Sequence, residues 1–212
     1  MTMLKKSLLA LSMSLAAGFA AATPFSISTV TFVPGAGYGI EAETSGNSTL
    51  LDVRFSNAAF VAQTFNLDNV GESRSFAIGT INFAESNNAQ AITAAERDML
   101  DVRVNFTFTL PGTNTPFVFT TGTAAGGSIQ DTAVDYSLNW LPVTVNFGTT
   151  GQYSIGLSNL EFRNNGTQTQ NATITLLAAD AAVAAVPEPG SIALFGLGML
   201  ALGGLRRRQR QA

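Results

Sequence analysis

Apolar and polar residues alternate with a period of two over residues 101–110. Val102, Val104, Phe106, Phe108 and Leu110 fall on one side, and Asp101, Arg103, Asn105, Thr107 and Thr109 on the other. Successive side chains of a strand point to opposite faces, so the pattern predicts a strand with one core face and one wet face. The same rule places Leu51, Val53 and Phe55 inward with Asp52 and Arg54 outward. It also places Val143, Val145 and Phe147 inward with Thr144 and Asn146 outward, and turns Tyr153, Ile155 and Leu157 inward. Further strands are predicted at 25–33, 60–67, 75–83, 117–121, 133–140 and 172–178, separated by turn formers such as Pro34-Gly35, Pro111-Gly112, Gly126-Gly127 and Asn164-Asn165-Gly166. About ten short strands with this punctuation predict an all-β fold, an antiparallel β-sandwich or jelly roll. One helical turn interrupts it, because Thr93-Ala94-Ala95-Glu96 has capping-box spacing. Most of the fifteen Phe lie in the inward phase of these strands, which accounts for them as core.

Neither end shares this pattern. Lys5 and Lys6 precede an apolar stretch over 7–19, and Ala20-Ala21-Ala22 offers small residues for cleavage, so residues 1–22 read as a signal peptide cut after Ala22. About 13 apolar residues give a helix of roughly 20 Å, against roughly 30 Å of hydrocarbon, which argues against a retained span. Signal peptidase and the Sec machinery are the partners this end implies. At the other end Pro187-Glu188-Pro189 precedes an uncharged run rich in Leu, Ala and Gly over 191–205, then Arg206, Arg207, Arg208 and Arg210. The prolines hold the chain extended outside the helix. The apolar run predicts a short C-terminal transmembrane helix of about 22 Å, a temporary inner-membrane anchor, with the arginines on the cytoplasmic side.

The order and spacing of these C-terminal parts resemble the PEP-CTERM sorting signal. That resemblance covers about the last 27 residues. It implies processing by exosortase, a membrane enzyme of Gram-negative bacteria, and a destination at the cell surface or in the extracellular matrix, in the company of exopolysaccharide and biofilm. The domain plan is then a signal peptide over 1–22, one β domain over 23–179, a linker over 180–185 and the sorting signal over 186–212.

Composition narrows the chemistry. Charged residues are 12% of the chain, against roughly 25% in an average soluble domain. There is no Cys and no His, which removes disulfides, thiolate and imidazole metal sites, Cys nucleophiles and Ser-His-Asp triads. Six of the eleven basic residues sit in the two end segments. From 23 to 185 five arginines face thirteen carboxylates, a net −8 with no Lys, so the domain would repel a nucleic-acid backbone. The reading is a structural protein with no enzymatic role and no nucleic-acid partner.

Part of the middle is similar in layout to the choice-of-anchor domains, the K type above all. The residues that carry this are 76–83 (Phe-Ala-Ile-Gly-Thr-Ile-Asn-Phe), 91–93, the strand ending at Leu110, 143–147, the Gly-Gln-Tyr-Ser-Ile-Gly-Leu stretch at 151–157, and 172–176. The resemblance implies an exported β domain at the surface and carries over no catalytic residue.

Three constellations compete with a purely structural role. Glu41 and Glu43 would share a strand face roughly 6 to 7 Å apart, a glycosidase-like spacing that is common by chance. Other carboxylates lie at Glu96, Asp98 and Asp101 and at Asp131 and Asp135. No cofactor is implied. Calcium is the one metal this composition suits, through Asp131 and Asp135 or the loop Glu85-Ser86-Asn87-Asn88, although no EF-hand spacing is present. Trp140 with Tyr136 and Tyr153 would make an aromatic platform for sugar rings, the alternative being core or rim packing. These features define the alternative function, a carbohydrate- or calcium-binding surface module, with exopolysaccharide as the partner. Four Asn-x-Ser/Thr-type sites are what an Asn/Thr-rich chain produces by chance.

Overall fold

The alternation over 101–110 is realised as a strand, β6 (Asp101–Leu110), in which Val102, Val104, Phe106 and Phe108 are fully buried. The computed structural model describes residues 22–41, 49–85, 91–129 and 131–180, which lie in a unit ending at Asp180. The expected signal peptide up to residue 21, Glu43, the loop residues Ser86, Asn87 and Asn88, and everything from 181 onward lie outside the described residues. Among the described residues no helix is long and apolar enough to cross a membrane, and the apolar run at 191–205 is outside them.

Ordered across a four-stranded antiparallel sheet are β4 (Gln63–Leu67), β1 (Thr23–Pro34), β6 and β7 (Phe117–Thr121). A six-stranded sheet runs β10 (Val143–Phe147), β11 (Gly151–Leu157), β13 (Gly166–Ala178), β5 (Ser73–Phe83), β3 (Leu51–Ser56) and β2 (Tyr38–Gly39), antiparallel except for the β2/β3 pair. A small third sheet joins β12 (Leu160–Phe162), β9 (Tyr136–Leu138) and β8 (Thr123–Ala124). The fold is all-β, and the arrangement is consistent with a sandwich. The inner faces of the two large sheets meet through rings: Phe25 of β1 lies 5.3 Å from Tyr153 of β11, and Phe108 of β6 lies 5.0 Å from the same ring. A second aromatic cluster is built on the small sheet, where Tyr136 packs 5.9 Å from Phe83 and 5.7 Å from Phe162.

Local chemistry fixes the irregular positions. Gly79 of β5 sits at a register shift against β13, and a Cβ there would land on the Ser56 carbonyl oxygen and 2.7 Å from the Phe32 ring. A side chain is excluded because β3 and β1 approach the bulge too closely. The helical turn expected at Thr93 is a 3-10 turn over Ala95–Arg97, and the Glu96 carboxylate accepts the Thr93 N–H, half of the capping box.

Several expectations shift. The strand expected over 133–140 contracts to β9, three residues long, whereas the one expected over 172–178 begins at Gly166. Asp52, assigned to the wet face of β3, is 5% exposed, because its Oδ1 accepts the Glu41 N–H and its own N–H donates to Glu85. Leu110 is 43% exposed, since the inward phase is lost at the end of β6. Asp180, assigned to the linker, belongs to the domain: its Oδ1 accepts the N–H groups of Thr149 (2.8 Å) and Thr150 (3.0 Å) in the β10/β11 turn.

Candidate functional site

Several carboxylates serve the backbone. Glu41 Oε1 accepts the N–H groups of Thr49 and Leu50, fastening the chain between β2 and β3. Glu96 is fully buried at the 3-10 turn. Glu43 lies outside the described residues, so the Glu41/Glu43 pair is not placed.

Asp131 and Asp135 are near enough for the exposed Asp131 carboxylate to act on Asp135. Asp131 Oδ1 accepts the Ala133 N–H, closing a short turn, while Asp135 is 3% exposed and its Oδ2 has no hydrogen-bond partner. Burial first, then the Asp131 charge, push the Asp135 carboxyl above its ordinary 3.8, with Arg163 opposing. The Arg163 guanidinium donates to the Thr132 carbonyl at 2.7 Å and pairs with Glu161, so a fixed positive charge already stands beside these carboxylates. Among the described residues no three acidic side chains converge on a metal position.

Trp140 and Tyr136 do not form the platform expected of them. Trp140 is 5% exposed, and its backbone N–H donates to Asn159 Oδ1 at 2.8 Å. Tyr136 is fully buried, with its hydroxyl 2.8 Å from that of Tyr38. Burial and this partnership raise the Tyr136 hydroxyl far above the ordinary tyrosine value, and Tyr38 is raised by burial as well. Tyr136 lies inward within the second aromatic cluster and Trp140 is buried just beyond β9, so neither ring offers a face to a sugar.

The exposed rings lie elsewhere, on the outer face of the four-stranded sheet. Phe117 and Phe119 of β7 are 49% and 50% exposed, and Val33 at the end of β1 is 39% exposed. Strand register sets them in rows: Val33, Arg103 and Phe119 in one, Thr31, Asn105 and Phe117 in the next. The Arg103 guanidinium lies 5.3 Å from the Phe117 ring centre and, among the described residues, is in no ion pair. Asp101 Oδ1 accepts the Thr121 hydroxyl at 2.7 Å. A shallow groove of about 270 Å³ runs between Val33, Pro34, Asp101, Arg103 and the two Phe rings. Gly35 makes its end wall possible, because a Cβ there would meet the carbonyl oxygens of Met99 and Asp101 at 2.5 and 3.0 Å. The sequence concealed this face: Phe117-Val118-Phe119 is apolar in both phases, and the pairing of Val118 with Val104 turns the phenylalanines outward.

Beyond the β domain, residues 185–208 match the family model described as the PEP-CTERM protein-sorting motif. The chain carries a PEP-CTERM sorting signal. It is accordingly an exported protein, transiently anchored in a membrane and targeted to exosortase for processing. The matched PEP-CTERM residues take in Pro187, Glu188 and Pro189 and extend through Arg208, with Arg210 just beyond. No curated protein and no solved structure matches the chain. The PEP-CTERM motif thus identifies how the protein is handled, and the β domain carries whatever it does after delivery.

Proposed function

We propose that the protein is a structural component of the cell surface or extracellular matrix of a Gram-negative bacterium, associated with exopolysaccharide and biofilm and devoid of catalytic activity. A signal peptide over 1–22 delivers it, a helix over 191–205 holds it in the inner membrane, and exosortase acts at the Pro187-Glu188-Pro189 segment. The observation that carries this reading is the PEP-CTERM motif at 185–208, which follows within a few residues a β unit that ends at Asp180. That order suits a cargo folded outside the membrane and then separated from its anchor. The carboxylates of Glu41, Asp52 and Glu96 fasten backbone, which agrees with a structural part for them.

Fractionation of producing cells with and without exosortase tests the reading. The expected product in the exosortase-positive strain is a surface or matrix protein that lacks most or all of residues 190–212. Retention of the full chain in the inner membrane of that strain would sink the proposal. Turnover of any glycan by the purified protein would remove the structural part of it.

A further inference from the structure

We infer that the outer face of the four-stranded sheet binds a neutral polysaccharide, in the groove between Phe117, Phe119, Arg103, Asp101 and Val33. This deepens the surface reading above by giving the β domain a ligand class and a site. Two half-exposed Phe rings on one short strand are costly to leave in water, and they stand beside side chains that hydrogen-bond. The ligand therefore needs an apolar face to lie on the rings and polar groups at its rim. A pyranose ring supplies both: its C–H face meets the electron-rich ring faces, and its hydroxyls both donate and accept.

The groove holds one charge of each sign. The Arg103 guanidinium, held over Phe117 and in no ion pair among the described residues, offers donors to hydroxyl oxygens. Asp101 keeps acceptor capacity beyond the bond from Thr121, and accepts hydrogen bonds from sugar hydroxyls. The rows continue along the sheet into Thr31 and Asn105, then Thr29 and Thr107, whose hydroxyls are 2.8 Å apart. Rows repeat about every 7 Å along a strand, so an extended glycan laid along β6 meets polar groups at each step.

Charge complementarity selects the occupant. The domain carries −8 over residues 23–185, which opposes a polyanion and equally a second copy of itself, while a neutral polymer meets no such opposition. A cavity of about 270 Å³ lies at the small end of ligand sites, suited to one or two sugar rings of a longer chain.

The test is affinity electrophoresis of the protein as recovered from producing cells, through gels containing dextran, galactomannan, xyloglucan or hydroxyethyl cellulose, with alginate as the polyanion. Retardation by at least one neutral polymer is expected. Phe119→Ala, Phe117→Ala and Arg103→Met should each weaken it at least tenfold, and Leu141→Ala, at a 79% exposed position of the chain, should leave it unchanged. Thermal melts establish that the variants are folded, which their half-exposed positions favour. No retardation by any neutral polymer, retardation by alginate alone, or full retention in a Phe117/Phe119 double variant would overturn the proposal. So would a dimer in sedimentation velocity that Phe119→Ala dissociates, which would make the occupant a second copy. Exosortase processing is read by mass, independently of these gels, so either idea can fail without the other.

Discussion

At the scale of single residues, burial of ionisable groups sets the pH behaviour. All three tyrosines are shifted upward: burial, against the hydrogen bond to Asn114, leaves Tyr153 pushed up to about 12, and Tyr38 and Tyr136 are raised by burial too. The folded state disfavours the phenolate, so their contribution is complete below pH 10 and is lost as the pH rises through 10 toward 12 and beyond. Absorbance at 295 nm should show no tyrosine ionising near pH 10 in the native protein, with ionisation and unfolding appearing together at higher pH. Asp135 has the same sign in another range. Its carboxyl is raised above 3.8, so the fold is more stable with it protonated and loses that stability as the pH rises past 3.8. Asp135→Asn should therefore raise the thermal midpoint at pH 7 and leave it nearly unchanged at pH 3.

At the scale of elements, the bulge at Gly79 and the cap at Asp180 are the sensitive points. Gly79→Ala should cost about 1–3 kcal/mol in urea unfolding, because neither the Ser56 carbonyl nor the Phe32 ring can withdraw from the new Cβ without disturbing β3 or β1. Asp180→Ala removes the acceptor shared by Thr149 and Thr150, and amide exchange should quicken at those two residues while β6 stays protected. Strands with one clean apolar phase were legible in the sequence: β6, β10 and β11 stand where alternation put them. Phe117 and Phe119 were not, because a run apolar in both phases takes its facing from the neighbouring strand. Trp140 and Tyr136 were misread for a related reason, since the third sheet, to which Tyr136 belongs and just beyond whose β9 Trp140 lies, is built from strands of two or three residues, too short for any period to register. The sorting motif was legible, because its recognition depends on local order along the chain and needs no tertiary contact.

At the scale of the whole molecule, the exported product should begin at Thr23 and lack the arginine cluster, which intact-mass measurement on surface or matrix material reads directly. Recovery of Arg206 and Arg207 in such material would contradict the processing scheme. The start of β1 adds a constraint on timing. Thr23 is 7% exposed and already paired with Leu67, in a strand held on both sides by β4 and β6. With cleavage after Ala22, the residue on the far side of the scissile bond is paired in the finished sheet, and a protease that needs unpaired chain on both sides cannot grip it there. On the proposed scheme, removal of the leader and completion of the fold are competing events. A precursor that folds first shields its own cut site and persists uncleaved, whereas the distant pairing of β1 with β6 delays closure and favours the peptidase. Refolded precursor should resist signal peptidase in vitro, and the same chain presented unfolded should be cut.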